Sequence, residues 1–309
     1  MKILITGGAG FIGSNLSLTL QKNNSITVID SLLSGNTKNL EGFQGNLIID
    51  DITSMNLLKS FKDIDVIFHQ AAITDTTVSD EKRMMEVNVR GFRRILDLAL
   101  KKSATLVYAS SAGVYGNGKC PMREDQELSP QNVYARSKLL MDEIAIKYKD
   151  KIRVVGLRYF NVYGPREGYK DKAASMIYQL AQQMKAGKNP RIFKYGEQSR
   201  DFIYVKDVVD ANIKAMKAKK SGVVNVGIGV ATTFNRVIEI LNEVLETSYE
   251  PEYFDNPYSF YQDETRADIK RAEKLLGFKA RYNIEEGIRD YLKKQGRQGE
   301  QGRHGGQGF

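Results

Sequence analysis

The first fifteen residues place a short apolar run, a glycine-rich loop and a helical pattern directly one after another. In KILITGGAGFIGSNL the glycines Gly7, Gly10 and Gly13 lie between the run and the helix. Backbone N–H groups at the start of a helix bind phosphate, and side chains in the loop would keep a pyrophosphate away from them. Glycine at position 13 also lets the helix pack close to the sheet. This feature predicts a strand–loop–helix unit that binds a dinucleotide.

An acidic residue follows the glycine loop at the distance that such a unit requires. Asp30 ends the run SITVID, twenty residues after Gly10. A carboxylate at that position can accept hydrogen bonds from both ribose hydroxyls of NAD. Its charge would repel the 2′-phosphate of NADP, although Lys38 lies close enough in the sequence to offset part of that charge. We therefore predict NAD as the cofactor, with NADP as an open alternative.

Short apolar runs alternate with helical patterns through the first two-thirds of the chain. The runs are KILITG, SITVID, NLIID, DVIFHQAA, TLVYASS and RVVGLRYF. Uninterrupted apolar runs suit parallel strands that are covered on both faces. The alternation with helices predicts an α/β fold with a doubly wound parallel sheet of the Rossmann type. We expect this dinucleotide-binding domain over residues 1–165, with return segments near 201–229.

The alternation loosens after about residue 165, where a second and smaller lobe is expected. Residues 166–200 and 230–295 are predicted to form this discontinuous substrate-binding lobe, which ends in a helix near 284–294. Residues 296–309 contain six glycines and no apolar periodicity. That composition predicts a disordered tail.

The overall composition limits the remaining classes of function. The net charge is +9 at pH 7, but the Lys and Arg residues are spread along the chain, so nucleic-acid binding is not expected. No apolar run approaches the roughly 18–20 residues of a membrane span. Two histidines and one cysteine cannot build a metal cluster. A single cysteine fits a reducing compartment, so we predict a cytoplasmic protein without metal.

A tyrosine and a lysine lie four residues apart in the predicted helix that contains YARSK. Tyr134 and Lys138 therefore share one helix face. An ammonium group there, together with the positive nicotinamide ring, favours the phenolate and lowers the pKa of the tyrosine, which gives a base for a substrate hydroxyl while hydride leaves the same carbon. Ser111 ends a strand at the carboxyl edge of the sheet, where it can hydrogen-bond the reacting oxygen. We predict that the three residues act together and that Lys138 also holds the nicotinamide ribose.

The motifs TGGAGFIG, SSAGVYG, YARSK, RYFNVYGP and RDFIYVKDV together resemble a known family. They are similar to those of extended short-chain dehydrogenases/reductases, in the nucleotide-sugar epimerase/dehydratase group. The resemblance runs from residue 1 to about residue 294. It implies a nucleotide diphosphate sugar as substrate, a homo-oligomer, and Ser111, Tyr134 and Lys138 as the catalytic trio.

The same resemblance implies further binding residues on both sides of the site. Phe11 and Ile12 would contact the cofactor beside the loop glycines, and Asp51 and Ile52 would contact the adenine ring. The residues implied for the substrate side are Asn161, Arg200 and Tyr261. Arg200 matches the phosphate ligand of the family, and a guanidinium suits that role because its fork can grip two oxygens.

Two stretches indicate the reaction within the group. Dehydratases carry an Asp-Glu pair after the catalytic Ser or Thr, whereas this chain has Ala112 and Gly113, so dehydration is not expected. GLRYFNVYGPREGYKDKAAS resembles the corresponding run of the ADP-heptose 6-epimerases, and that resemblance implies that Lys170 is a second base facing the sugar. We therefore predict NAD(P)-dependent epimerisation of an ADP-glycero-manno-heptose at C6 through a transient ketone.

Two alternatives stay open at this point. DSLLSGNTKNL and IIDDI resemble the UDP-hexose 4-epimerases, which would use the same trio on UDP-glucose. A redox-sensing or structural NAD(P)-binding module that has lost its chemistry is the second alternative. Such proteins usually lose the tyrosine or the lysine, and this chain keeps both.

Overall fold

The computed structural model describes residues 1–74, 80–256 and 262–303. Its strands are β1 Lys2–Thr6, β2 Ser25–Asp30, β3 Asn46–Ile49, β4 Val66–His69, β5 Thr105–Ser111, β6 Val154–Tyr159, β7 Asn161–Tyr163, β8 Arg191–Phe193, β9 Ser199–Arg200, β10 Phe202–Tyr204, β11 Gly222–Val226, β12 Thr232–Thr233 and β13 Glu252–Phe254. Its α-helices are α1 Phe11–Leu20, α2 Leu57–Ser60, α3 Glu81–Met85, α4 Gly91–Lys102, α5 Val133–Ile146, α6 Met176–Lys185, α7 Val205–Met216, α8 Phe234–Leu245, α9 Lys270–Leu276 and α10 Ile284–Arg303.

Seven parallel strands form the central sheet, in the order β11-β6-β5-β4-β1-β2-β3. Apart from the edge strand β3, whose Leu47 and Ile49 are exposed, the strands are apolar on both faces because both faces are covered by helices. In β1, Ile3 and Ile5 pack against α1 and α7, whereas Leu4 packs on the opposite face with residues of α4 and α5. The prediction of a doubly wound parallel sheet is therefore confirmed. The order reverses between β1 and β4, and in such sheets a crevice for ligands opens at the carboxyl ends of the strands there.

A separate apolar cluster lies in the second half of the chain. It is formed mainly by α6, α8 and α10 with the short strand pair β7 and β10, and its centre includes Leu180, Ile240 and Ile288. Between these elements the chain returns to the central sheet, because residues 222–226 pair with β6. The division into a domain of residues 1–165 with 201–229 and a lobe of 166–200 with 230–295 stays a prediction.

The C-terminal helix extends further than the sequence indicates. It continues to Arg303, so residues 296–303 of the predicted disordered tail are helical, and residues 304–309 lie outside the described residues. A nucleated helix adds one hydrogen bond for each further residue. The packed turns at Ile288, Tyr291 and Leu292 supply that nucleus. Within the described parts of the chain, no helix has the combination of length and apolar character needed to cross a membrane.

Candidate active site

The glycine loop between β1 and α1 has a shape that only small residues permit. Gly7 has φ +69°, and a Cβ on it would lie 2.5 Å from the backbone nitrogen of Ala71. A Cβ on Gly13 would lie 2.1 Å from the carbonyl oxygen of Gly7. At Gly10 a Cβ would meet only that carbonyl oxygen, at 3.2 Å, within the described structure. Gly7 and Gly13 are therefore required by packing, whereas Gly10 faces open space above the loop, where a pyrophosphate can approach the backbone.

Asp30 is held beside this loop at the end of β2. Its carboxylate is buried and accepts hydrogen bonds from the backbone nitrogens of Ala9, at 2.9 Å to Oδ2, and Leu32, at 2.8 Å to Oδ1. Each carboxylate oxygen keeps a second lone pair, so the two bonds fix the group and leave it able to accept ribose hydroxyls. The open face at Gly10 and the fixed carboxylate together fit a dinucleotide such as NAD.

The side chains of the other residues predicted to contact the cofactor are buried or form local hydrogen bonds. Phe11 and Ile52 have buried side chains, and Ile12 is partly buried, so any ligand contact of Phe11 or Ile52 would come from the backbone. Asp51 uses Oδ1 to accept from the backbone nitrogen and the hydroxyl of Thr53, both at 2.8 Å. Its Oδ1 thus stabilises the local turn, and its adenine contact stays a prediction.

Two glycine substitutions should separate packing from cofactor binding. Gly10→Ala should leave the free energy of unfolding nearly unchanged and weaken NAD binding about tenfold or more, because the added methyl stands where a phosphate approaches. Gly13→Ala should lower stability by about 1–3 kcal/mol, because its methyl overlaps the Gly7 carbonyl. Urea unfolding and isothermal titration with NAD measure the two effects. Equal losses of stability in both variants would contradict this division.

The structure brings Ser111, Tyr134 and Lys138 together at the carboxyl end of β5. Helix α5 carries the last two, and its first turn is capped by Asn132, whose side chain accepts from the backbone nitrogen of Ala135 at 2.8 Å. Ser111 lies near enough to the Tyr134 hydroxyl to lower its pKa. The Lys138 ammonium donates to the Ala109 carbonyl at 2.8 Å and lies 5.6 Å from the centre of the Tyr134 ring. The tyrosine, the serine and a cation thus lie together in one site.

Burial dominates the ionisation of this site. It raises the pKa of Tyr134 to about 12, and the nearby Ser111 side chain offsets only part of that rise. It lowers the pKa of Lys138 to about 8, against the opposing charge of Asp142. The expectation that Lys138 lowers the tyrosine pKa is thus not met in the protein alone. Desolvation disfavours the phenolate more than the groups of the chain favour it.

Lys170 lies against the glycine loop and not on the open surface. It belongs to a 3₁₀ helix at Gly168–Ala173, and its ammonium lies 5.6 Å from the centre of the Phe11 ring. Burial lowers the pKa of Lys170, and the charge of Glu167 opposes this shift. The structure therefore turns this lysine towards the element that is predicted to bind the cofactor.

Two of the three predicted substrate residues lie at one segment. Arg200 donates to the carbonyls of Ser199, at 2.8 Å, and Asp263, at 3.3 Å. Asn161 accepts from the hydroxyl of Thr265 at 3.4 Å. Both side chains thus contact residues 263–265, and their binding of a substrate stays a prediction. Tyr261 lies outside the described residues.

Sequence reasoning missed a buried asparagine that supports the site. Asn88 lies in a π-helix at Glu86–Arg90, and such local widening of a helix often marks a functional site. Its amide donates to the Ser137 hydroxyl at 3.0 Å and accepts from the backbone nitrogen of Ile73 at 2.8 Å. It therefore joins α5 to the loop that follows β4. The available signal was the polar Asn88 between Met84 and Phe92, at an apolar position of the helical pattern that precedes TLVYASS.

A buried ion pair behind Lys138 was also missed. Asp142 lies one turn after Lys138 on α5, and its Oδ2 accepts from Nε of Arg158 in β6 at 2.9 Å. The two side chains are only 5 % and 4 % exposed. Oδ1 of Asp142 accepts from the hydroxyl of Tyr108 at 2.9 Å, and Arg158 also donates to Tyr115 at 2.9 Å. The charged Arg158 within the apolar run RVVGLRYF was the signal in the sequence.

Comparisons with known proteins agree with this geometry. Residues 3–227 match the model of the NAD dependent epimerase/dehydratase family. The chain is 39% identical to the ADP-L-glycero-D-manno-heptose-6-epimerase of Brachyspira hyodysenteriae over 95% of this chain and 98% of that protein. The crystal structure of Helicobacter pylori ADP-L-glycero-D-manno-heptose-6-epimerase is similar with a TM-score of 0.90 and 45% identity, over 95% of each chain.

A structure from the second candidate class is also similar. The UDP-glucose 4-epimerase of Thermotoga maritima, solved with UDP-glucose, matches with a TM-score of 0.87 and 29% identity, over 96% of this chain and 99% of that one. Fold similarity alone therefore does not separate inversion at C6 from inversion at C4, and the separation depends on individual side chains.

Proposed function

Because the chain belongs to the NAD-dependent epimerase/dehydratase family, we propose that it is an isomerase that inverts C6 of an ADP-glycero-manno-heptose. The observation that carries this proposal is the position of Lys170, whose ammonium lies over the ring of Phe11, the first residue of α1 after the glycine loop. The segment around it has the sequence expected of a heptose 6-epimerase. The identities of 39% and 45% to two such enzymes support the same substrate.

The mechanism needs a proton-transfer group beside the reacting oxygen. NAD, when bound, takes up a hydride from a sugar carbon and returns it to the same carbon. Tyr134 accepts the proton of the C6 hydroxyl as that carbon becomes a ketone, and Ser111 hydrogen-bonds the oxygen. Because burial raises the pKa of Tyr134 to about 12, formation of the phenolate would need the positive nicotinamide ring of bound NAD as well as the charge of Lys138, which the Ala109 carbonyl holds beside the tyrosine ring.

Inversion at C6 also needs a second proton-transfer group. C6 of the heptose is exocyclic, so rotation about the C5–C6 bond presents the other face of the ketone and moves its oxygen. A single tyrosine on α5 serves one position of that oxygen. Lys170 comes from a different element and can serve the other position, and its lowered pKa brings the ammonium closer to a balance of charged and neutral forms.

A substrate panel with a lysine variant tests this proposal. ADP-D-glycero-β-D-manno-heptose and UDP-glucose are offered separately, and NMR follows the configuration at C6 and at C4. We expect inversion at C6 alone, and we expect Lys170→Ala to lower kcat by about 10²-fold or more, because a general acid–base group is lost. The exposed Lys188 supplies the control, and Lys188→Ala should retain full activity.

The alternative of UDP-hexose 4-epimerisation has its own expected result. There the whole sugar turns over in the pocket, so the same tyrosine serves both faces. Inversion at C4 of UDP-glucose, with Lys170→Ala nearly as active as the unchanged enzyme, would replace the heptose proposal. Tight NAD binding without turnover of any nucleotide sugar would instead indicate a non-catalytic module.

Two further parts of the proposal depend on other observations. Self-association of the chain rests on its resemblance to the family, and light scattering of the purified protein tests it. A cytoplasmic location rests on the single cysteine, Cys120, and fractionation of the producing cell tests it.

A further inference from the structure

We propose that Glu167 is a positioning residue that holds Lys170 over the glycine loop. The inference rests on the proposed function, because it assigns a task to Glu167 only if Lys170 transfers a proton. Glu167 lies three residues before Lys170, and it is completely buried, with 0% exposure. A carboxylate is placed in such an environment at a cost unless several donors stabilise it.

The carboxylate of Glu167 connects the two ends of the segment 164–175. Oε1 accepts from the backbone nitrogen of Gly164 at 2.9 Å and from the hydroxyl of Ser175 at 3.0 Å. Oε2 accepts from the backbone nitrogen of Ser175 at 2.6 Å. Gly164 follows β7, and Ser175 caps the first turn of α6, so one side chain closes the segment into a ring. The Glu167 carboxylate therefore holds the two ends of the segment 164–175 together.

The backbone of Glu167 also forms a hydrogen bond with the backbone of Lys170. Its carbonyl accepts from the backbone nitrogen of Lys170 at 2.9 Å, which closes the turn on which Lys170 lies. The Lys170 ammonium then reaches the Phe11 ring. The backbone turn thus carries the lysine, and the Glu167 carboxylate fixes the segment on which that turn lies.

Residues 165 and 166 of the segment 164–175 contact α1, the helix that follows the glycine loop. Asn15 of α1 donates to the carbonyl of Pro165 at 3.0 Å, and Arg166 donates to the Asn15 side chain at 3.3 Å. Arg166 also donates to the carbonyl of Asn39 at 3.1 Å. The segment is thus attached to the two stretches of backbone that flank the predicted NAD site. Its position follows the position of the glycine loop.

Glu167→Gln tests the role with little change of volume. A glutamine keeps one acceptor oxygen but replaces the other by an NH₂ group, which cannot accept from the Ser175 nitrogen. The two ends of the segment 164–175 should then be held less firmly together, and Lys170 should lose its fixed position. We expect kcat for C6 inversion to fall on the order of 10- to 100-fold, because small misplacements of a reacting group have effects of that size. The KM and the amount of NAD retained by the purified enzyme should stay unchanged.

A double-mutant cycle distinguishes positioning from a general structural role. If Glu167 acts through Lys170, then Glu167→Gln should lower kcat by no more than about twofold in the Lys170→Ala background. Ser175→Ala removes one of the three bonds to the carboxylate, and it should show a smaller loss that also disappears in that background. This second variant keeps the test decisive if Glu167→Gln does not fold.

Three results would overturn the inference in different ways. Full activity of both Glu167→Gln and Ser175→Ala would show that the ring does not position the lysine. Losses that multiply with that of Lys170→Ala would assign Glu167 a structural role alone. Full C6 activity of Lys170→Ala itself would remove the proposed function of Lys170, and the positioning role with it.

Discussion

Replacing Tyr134 with phenylalanine should lower kcat for the epimerisation by about 10²–10⁴-fold, the range found for general acid–base groups. The substitution removes the hydroxyl near Ser111 and leaves the ring beside Lys138. NAD binding should change little, because the glycine loop and Asp30 are untouched. Steady-state kinetics with the accepted nucleotide sugar measures the first effect, and titration with NAD measures the second.

A surface tyrosine supplies the control for this expectation. Tyr195 is 69% exposed, and Tyr195→Phe should leave kcat unchanged. A loss of less than about tenfold in Tyr134→Phe would identify another group as the base. A loss that appears in KM and not in kcat would instead assign Tyr134 to substrate binding.

Replacing Arg158 with methionine should lower the free energy of unfolding by about 3–5 kcal/mol, because it leaves the buried Asp142 carboxylate without its counter-ion. The hydroxyl of Tyr115 loses a donor in the same step. Urea unfolding followed by circular dichroism measures the change. Part of the loss should return in the double variant Asp142→Leu with Arg158→Met, since that variant removes both charges of the pair, although the buried Lys138 then lacks the opposing charge of Asp142.

The exposed ion pair between Arg191 and Glu252 provides a matched control. Its N–O distance is 2.9 Å, as in the buried pair, but the side chains are 56% and 55% exposed. Arg191→Met should therefore change the free energy of unfolding by less than about 1 kcal/mol. An equal loss in the exposed and the buried variant would contradict the explanation by burial.

The fold and part of the site could be predicted because their signals are local in the sequence. Uninterrupted apolar runs indicate strands that are covered on both faces, and the structure has them at β1, β2, β4, β5 and β6. The glycine loop, Asp30 and the pair Tyr134 and Lys138 have fixed spacings, which follow from the geometry of one turn or one helix. Ser111 could be placed because strand ends share one edge of the sheet.

Other properties depend on partners that are distant in the sequence. Glu167 reads as a solvated charge until Gly164 and Ser175 are seen to enclose it. The role of Asn88 in joining α5 to the loop after β4 is visible only from its contacts with Ile73 and Ser137. The burial that raises the pKa of Tyr134 in the protein alone is a property of the whole fold, whereas the lowering by Lys138 and the nicotinamide ring together stays a prediction.

The place of β11 in the central sheet has a consequence for the synthesis of the chain. β6 is buried along its whole length, and β11 is its outer neighbour. β11 begins 63 residues after β6 ends, from Tyr159 to Gly222. At about 5–20 residues per second, a ribosome makes that stretch in about 3–13 s. During this interval the nascent chain lacks the strand that pairs with the outer edge of β6, and an unpaired apolar edge is a template for aggregation.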